Sequence, residues 1–433
     1  MNKEILKLAI PNILANLSVP MLSLVDVGLM GHLSSESYIL SIGFGVMIFN
    51  FIYWAFGFLR MGITGMTAQE VGKGDVNEAY RLLFRGLIIA FLGAALLFLF
   101  KDLLLQLSLY LIDSNQEVNQ QITTYFNVRI YAAPATLGLY AFIGWFLGKQ
   151  NATLAMIVTI SINIINALLS YYFVTNLNLE TQGVAYGTLI AQYAGFVLAM
   201  LLFFIFYRKD LAKEAFKNTF EVKAIKKFVG VNSDILIRTL CLIFSLSFFK
   251  VMSAKEGDVI GAANILLLEF VSIAAYGIDG FAFAAEAISG KYFGAKDKAN
   301  FKKAVRYCFY WGLGLGGVYG LSYLVFGKSI LELLTNQTEV VNIALDYIWW
   351  LVLFPILSAV PFVWDGIYIG LTASKAMRNT MLFSTFIVFI PAYYLLENFF
   401  GNHGLWLSMI LFVLARGISQ TWLAKNVVWK KLN

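Results

Sequence analysis

The chain has 433 residues, of which 60% are hydrophobic and only 13% are charged, and its formal net charge is +7. Soluble domains carry about 25% charged residues, so this composition excludes an ordinary soluble protein and indicates an integral membrane protein. The basic residues are spread over the ends of apolar runs. That distribution argues against a nucleic-acid partner and favours a protein whose ends face anionic membrane lipid.

Twelve apolar runs are long enough to cross a bilayer as helices, which takes about 20 residues each. The loops between them are short, and no segment is long and polar enough to form a separate soluble domain. The predicted fold class is therefore an all-α integral membrane protein with twelve transmembrane helices. We predict the spans at 5–32, 38–68, 79–100, 120–147, 153–175, 183–207, 224–253, 259–289, 301–326, 341–370, 377–396 and 404–428.

The distribution of Lys and Arg among the loops indicates the orientation of the chain. With the N-terminus in the cytoplasm, 24 basic residues lie on the inner side and 4 on the outer side. This asymmetry follows the positive-inside rule, and an error of one span would have removed it. We predict a multi-pass protein of the inner (cytoplasmic) membrane with both termini in the cytoplasm. The other four basic residues lie inside spans: Arg60, Arg129, Arg238 and Arg416.

Two loops repeat the same pattern half a chain apart. Gly72-Lys-Gly-Asp75 follows the second span, Gly294-Ala-Lys-Asp297 follows the eighth, and basic residues come after both. We call the separation of Gly294 from Gly72 the repeat offset. It predicts two six-helix lobes of the same orientation, related by a pseudo-two-fold axis along the membrane normal, and it favours a transporter with its substrate path between the halves. The predicted lobes cover residues 1–207 and 224–433, with a cytoplasmic linker at 208–223.

Asp26 is the most informative charged residue, because it lies deep in the first span without a basic residue within a helical turn. An ionisable group persists there only if it faces protein or water, or serves function. A lone carboxylate in such a site can exchange a proton near neutral pH, and the loss of its charge can re-pack the helix. Pro11 and Pro20 offer kink points on the same span. A structural pair with a distant arginine or amide is the alternative.

Polar and aromatic side chains in other spans of the first half form a second group of candidates. Amides inside the membrane must face the bundle interior, where they serve either as site residues or as contacts between helices. Aromatic rings can line a cavity for flat hydrophobic cations. The candidates for a substrate cavity are Asn163, Asn166, Ser170, Thr188, Tyr140 and Trp54.

Acidic residues also lie inside spans of the second half. Asp279 and Glu286 in the eighth span and Asp365 in the tenth could bind a cation or a cationic drug. They could equally pair with Arg238 or Arg60. For Asp365 we favour a structural or gating pair.

Several features exclude other classes of protein. The chain has no phosphate-binding glycine loop followed by Lys and Ser or Thr, and its histidines, His32 and His403, lie near span ends. Its two cysteines supply no pattern for disulfides or metal. We therefore expect neither an enzyme nor a cofactor or metal site. Because buried arginines cannot deprotonate, Arg60 and Arg129 are expected to have a carboxylate or carbonyl partner.

Seven stretches that are distributed along nearly the whole chain carry a further pattern: 10–12, 19–33, 58–69, 133–148, 232–238, 276–290 and 364–379. Among them are Pro-Met-Leu-Ser-Leu-Val-Asp26, Tyr276-Gly-Ile-Asp-Gly280 and Trp364-Asp-Gly366. Together these stretches resemble the DinF-like branch of the MATE (multidrug and toxic compound extrusion) family. The resemblance implies two six-helix lobes in a V shape, alternating access, and export of organic, often cationic, compounds against inward H+ or Na+.

The resemblance also implies roles for single residues. In related transporters the carboxylate that matches Asp26 couples transport to protons at the substrate cavity, and its partners match Asn166 and Thr188. Many relatives carry a second Asp where this chain has Ser170. Asp26 would therefore be the sole acid of this site.

The predicted function is a secondary active antiporter that exports organic, cationic or amphipathic compounds in exchange for inward H+, with Asp26 as the protonation switch. Two alternatives stay open. One is a Na+-coupled exporter that uses the acids of the second half, and the other is a flippase for a lipid-linked precursor. The expected partners are small-molecule substrates and membrane lipid, and the expected state is a monomer.

Overall fold

The computed structural model describes residues 1–30, 36–211, 219 and 221–430; the side chains of residues 23, 24, 26–28, 30, 36, 37 and 39 lie outside this description. The described chain is helical from end to end. Its α-helices are α1 Asn2–Met30, α2 Glu36–Ala55, α3 Phe58–Lys73, α4 Val76–Leu99, α5 Lys101–Ile112, α6 Gln116–Arg129, α7 Ala133–Gly148, α8 Ala152–Thr175, α9 Glu180–Tyr207, α10 Val222–Lys255, α11 Asp258–Gly294, α12 Lys298–Leu334, α13 Thr338–Asp346, α14 Ile348–Gly370, α15 Ser374–Leu382, α16 Ile390–Phe400 and α17 Asn402–Ala424.

Twelve helical segments of the described chain are long and apolar enough to cross a membrane, and each coincides with a predicted span. The predicted fold class is thereby confirmed. The segments are Asn2–Leu22, Leu40–Lys73, Val76–Leu99, Gln116–Gly148, Ala152–Thr175, Glu180–Asp210, Val222–Lys255, Asp258–Gly294, Lys298–Leu334, Ile348–Gly370, Ser374–Phe400 and Asn402–Trp429.

Some spans are interrupted where the sequence predicts one uniform helix. The second span breaks at Gly57, whose N–H bonds to the carbonyl of Trp54 three residues back. The fourth span contains a 3₁₀ turn, Ile130–Ala132, directly before Pro134 near the start of α7. Glycine and proline are common causes of such breaks, because proline removes a backbone donor and glycine permits the local change of pitch.

Several helices of the second half begin where helices of the first half begin, shifted by the repeat offset. This relation joins the first residues of α2 and α11, α4 and α12, α6 and α13, α8 and α15, and α9 and α17. The helix N-caps repeat as well: Asp75 Oδ1 accepts from Glu78 N (2.9 Å), and Asp297 Oδ1 accepts from Asn300 N (3.0 Å). The Asn300 hydrogen bonds favour the charged carboxylate and hold the pKa of Asp297 below its usual value.

The repeat extends to close packing between helices. Gly144 on α7 lies so close to α3 that a Cβ atom there would be 2.5 Å from the carbonyl oxygen of Arg60. Gly366 on α14 is the counterpart of Gly144 at the repeat offset, and it makes the same approach to the carbonyl of Ala282 on α11. The offset read from two loops therefore describes helix starts, N-caps and this glycine contact alike.

The chain divides into two compact units. One comprises Leu14–Thr67 and Asp75–Lys227, and the other comprises Met1–Ile13, Ala68–Gly74 and Phe228–Asn433. In the latter unit, Gln69 Nε2 donates to the Gly370 carbonyl (2.7 Å). Residues 1–13 and 68–74, which fall in the predicted first lobe, thus pack in the unit that holds the second half.

Each unit has its own apolar core. In the unit of the first half, Phe49, Leu59 and Phe126 belong to one buried cluster. In the unit of the second half, Phe249 and Trp406 belong to another. The polar residues described below are fixed by these separately packed helices.

Gly366→Ala is expected to lower the free energy of unfolding by about 1–3 kcal/mol, because the added methyl overlaps a backbone carbonyl that cannot move away cheaply. Gly144→Ala should act in the same direction. Gly314→Ala is the matched control, since nothing lies within 4 Å of a Cβ atom there. Thermal melting of the purified variants in detergent measures the effect, and equal Tm values for Gly366→Ala and Gly314→Ala would contradict the packing argument.

Candidate functional site

Three polar residues of the first half form a buried hydrogen-bonded group on α8 and α9. Asn166 Nδ2 donates to Thr188 Oγ1 (3.3 Å), and the Ser170 hydroxyl donates to Asn166 Oδ1 (2.9 Å). All three side chains are buried. Gly187 allows the helices to approach, because a Cβ atom there would lie 2.5 Å from Ser170 Oγ. The structure thus brings together three of the candidate residues through direct bonds between neighbouring helices.

Asn163 connects the same helix to α1. Its Nδ2 donates to Ser18 Oγ (2.6 Å), and the Ser18 hydroxyl donates to the Ala15 carbonyl (2.7 Å). Asp26 is eight residues further along α1, a rise of about 12 Å. The backbone of Asp26 lies within the helix, and its side chain lies outside the described part of the chain. Ser18 was not predicted as a site residue. The signal that could have identified it is a hydroxyl on the same span as a lone carboxylate.

The two aromatic candidates lie in different surroundings. Trp54 on α2 is 46% exposed. Tyr140 on α7 packs partly buried against the apolar cluster of its unit. Among the described residues, neither side chain hydrogen-bonds to the group around Asn166.

Asp365 on α14 is the centre of a buried ionic cluster in the other unit. Its carboxylate, only 4% exposed, accepts from Arg238 on α10 and from Arg416 Nη2 on α17 (2.8 Å). Gln420 Nε2 donates to its second oxygen (2.5 Å). The pair of Asp365 with Arg238 considered in the sequence is therefore present, and it is part of a larger cluster.

The cluster joins three helices through one carboxylate. Arg416 and Gln420 were not predicted as partners of Asp365, although their spacing of four residues places them on one face of a helix. Two guanidiniums share Asp365, and Asp279 on α11 adds a negative charge that acts on Arg416. Glu286 is buried on the same helix, where its carbonyl lies against Gly370. The arrangement can hold helices together, because charge-assisted bonds are strong inside the membrane.

A second ionic contact lies in the same unit, and it was not predicted from the sequence. Asp234 on α10 accepts from Arg378 Nη1 (2.6 Å) and from the Ser374 hydroxyl (2.8 Å), both on α15. It lies in the stretch 232–238 that carries part of the family pattern. Together with the Asp365 cluster, this contact holds α10 through ion pairs at two positions along the helix.

Comparisons with known proteins agree with this architecture. A model of the MatE family matches residues 11–172 and 235–395, one segment in each half of the repeat. The chain is 32% identical to DNA damage-inducible protein F of Escherichia coli K12, over 96% of this chain and 91% of that protein. It is 24% identical to multidrug and toxin extrusion protein 1 of Pongo abelii, over 99% of this chain and 75% of that protein. The fold matches the Vibrio cholerae MATE transporter VcmN with a TM-score of 0.84 at 20% identity, over 99% of this chain and 98% of that one.

Asp365→Asn is expected to destabilise the protein by about 3–5 kcal/mol, because it leaves two buried guanidiniums without their shared counter-ion. The measurement is the yield and Tm of the protein in detergent. Lys328→Gln is the control: it breaks an exposed pair with Glu332 (3.8 Å, 67% and 53% exposed), which is worth about 0–1 kcal/mol. An Asp365→Asn protein as stable as the control would show that the cluster does not hold these helices.

Proposed function

The chain belongs to the MatE family of multidrug and toxin extrusion transporters, and from this premise we propose that it exports organic cationic or amphipathic compounds in exchange for inward H+. The observation that supports the proposal is the hydrogen-bonded polar group on α8 and α9, with Asn163 bound to α1 through Ser18. This group lies beside the helix that carries Asp26. Alternating access then follows from a change in the packing of that helix.

We assign Asp26 as the protonation switch. A proton and a cationic compound compete for the same carboxylate, because each neutralises the one charge that the site carries. Exchange follows from this competition: protonation releases the cation, and loss of the proton restores a site that binds the next one. Ser170, a neutral hydroxyl bound to Asn166, leaves Asp26 without a second acid on α8.

The hydrogen bond between Asn163 and Ser18 gives the switch a physical route to the helix packing. It ties α1 to α8 about two turns before Asp26. Pro11 and Pro20 lie on either side of Ser18, and both remove backbone hydrogen bonds from α1. A change of charge at Asp26 can therefore bend α1 about Ser18, while the bonds among Asn166, Ser170 and Thr188 keep α8 and α9 together.

The alternative of Na+ coupling through Asp365 is disfavoured by the contacts of that carboxylate. Both of its oxygens accept hydrogen bonds, and two of the donors are guanidiniums. A sodium ion placed there would meet two positive charges at contact distance. Asp279 and Glu286 stay as candidates for that alternative. The orientation that we propose, with both termini in the cytoplasm, rests on the 24 to 4 distribution of basic residues.

Asp26→Asn is expected to insert and fold but to lose drug resistance and proton-coupled efflux down to the level of cells without the protein. The amide has nearly the shape of the carboxylate, but it cannot bind or release a proton at physiological pH. Resistance of growing cells and efflux of a fluorescent cation measure the result. Asp102→Asn, which changes an exposed acid on α5, is the matched control and should transport normally. Undiminished transport by Asp26→Asn would remove Asp26 from the mechanism.

The coupling ion is tested in inside-out membrane vesicles that contain the wild-type protein. In Na+-free buffer, an acidic vesicle interior is expected to drive uptake of a fluorescent cation, and an uncoupler that collapses the pH gradient should abolish it. An outward-directed Na+ gradient without a pH gradient should give no uptake. Uptake that requires Na+ would replace H+ as the coupling ion, and uptake confined to right-side-out vesicles would reverse the proposed orientation.

A further inference from the structure

Arg129 is a buried guanidinium in the fourth span, and the described residues do not supply the carboxylate or carbonyl partner expected from the sequence. Its side chain is 9% exposed, and its guanidinium carbon lies 5.3 Å from the ring centre of Phe49 and 5.4 Å from that of Tyr53. The ion pairs among the described residues do not include it. Its Nη1 also has no hydrogen-bond partner in the described part of the chain. The aromatic rings stabilise the cation, but they do not neutralise it.

The buried hydroxyl of Tyr53, whose ring packs against Arg129, has a second buried hydroxyl as its neighbour. Tyr53 and Thr136 are neighbours, and Tyr53 lies within electrostatic range of Arg129. The two hydroxyl groups interact with each other, but within the described residues neither oxygen has a hydrogen-bond partner of good distance and angle. A guanidinium only donates hydrogen bonds, and each hydroxyl has one hydrogen to donate. A group that satisfies all three must therefore accept hydrogen bonds.

The two interrupted spans bring these donors together. Tyr53 lies one turn before the break at Gly57, and Arg129 is the last residue of α6 before the 3₁₀ turn. Thr136 lies in the first turn of α7, directly after that turn. Non-helical backbone at membrane depth occurs where it is buried in protein or lines a cavity, and interrupted helices of transporters supply many of their ion sites.

A second guanidinium acts on the same part of the unit. Tyr140, one turn after Thr136, is within electrostatic range of both Arg129 and Arg60. Two guanidiniums thus act on one part of this unit, and Arg60 has contacts of its own. A positive potential with converging hydrogen-bond donors favours an anion over a neutral ligand.

The second half has no guanidinium at the matching position. At the repeat offset, Leu351 stands where the first half has Arg129, and Leu351 is a buried core residue. The counterparts of Tyr53 and Thr136 are Ala275 and Ser358. The matching position of the second half, which lies inside α14, is therefore filled by an apolar side chain, and the charge of Arg129 is a particular property of the first half.

We propose that Arg129, Tyr53 and Thr136 form a binding site for a compact monovalent anion. The site takes either a free halide ion or the carboxylate of a transported compound. One guanidinium balances one negative charge, and two hydroxyls complete its hydrogen bonds. The site is separate from the exchange of H+ and cations assigned to Asp26, so the failure of either assignment leaves the other standing.

The experiment measures the Tm of the full-length protein in detergent, at constant ionic strength, as gluconate is replaced by chloride, bromide or benzoate. The wild-type Tm is expected to rise saturably, because an anion that binds only the folded state stabilises it by mass action. Arg129→Leu copies the residue found in the second half and should lose the rise. Arg208→Leu, which removes an exposed arginine, should keep it.

A second variant tests the site without removing its charge. In the double variant Tyr53→Phe, Thr136→Ala, the halide concentration at half-maximal effect should increase by roughly tenfold or more, because two hydrogen bonds to the anion are lost. A rise with halides alone assigns a free ion, and a rise with benzoate as well assigns a carboxylate. The proposal is overturned by a wild-type Tm that does not depend on the anion, by a rise that persists in Arg129→Leu, or by a double variant that responds like the wild type.

Discussion

A polar group inside the membrane must find its partner within the protein, because the lipid tails around it offer none. In this chain, that constraint decides which helices are held together. Asp365 gathers donors from α10 and α17, and Asn166 joins α8 to α9 through Thr188. The energetic value of each bond comes from the lack of competing water. The same lack of water makes a buried charge such as Arg129, which has no ion-pair partner among the described residues, informative. The free-energy cost of burying such a charge is offset by a bound ligand or by a functional role.

A comparison of the two halves distinguishes features that both share, which serve packing, from polar residues that occur in one half only. Helix starts, N-caps and a close glycine contact recur at the repeat offset, so much of the backbone architecture is shared by both halves. Many of the buried polar residues in the spans do not recur. At the same offset, an apolar residue stands opposite four of them, in the pairs Asn166 and Val388, Thr188 and Ile410, Arg129 and Leu351, and Asp365 and Ile143. One architecture therefore carries two different sets of polar groups.

The two units therefore differ in the chemistry of their buried polar side chains. In the unit of the first half, the polar side chains are mainly neutral amides and hydroxyls, which can exchange partners at low cost when a nearby charge changes. The unit of the second half also contains the ionic cluster around Asp365, and breaking its contacts leaves buried charge. In the proposed mechanism, the neutral group on α8 and α9 is the movable part, and the cluster around Asp365 is a rigid support. The proposed transport cycle depends on both properties.

The number of spans, the distribution of basic residues and the register of the repeat could all be read from the sequence. Each is a local or periodic property, and the length of an apolar run is tied directly to the thickness of the bilayer. The pairing of Asp365 with Arg238 could be named as one option, because intramembrane charges are few. The tertiary structure alone decided that Arg416 and Gln420 complete that cluster, that Ser18 binds Asn163, and that Tyr53 and Thr136 meet beside Arg129. These contacts depend on how each helix is rotated and where it breaks, and both are set by the packing of neighbours distant in the chain.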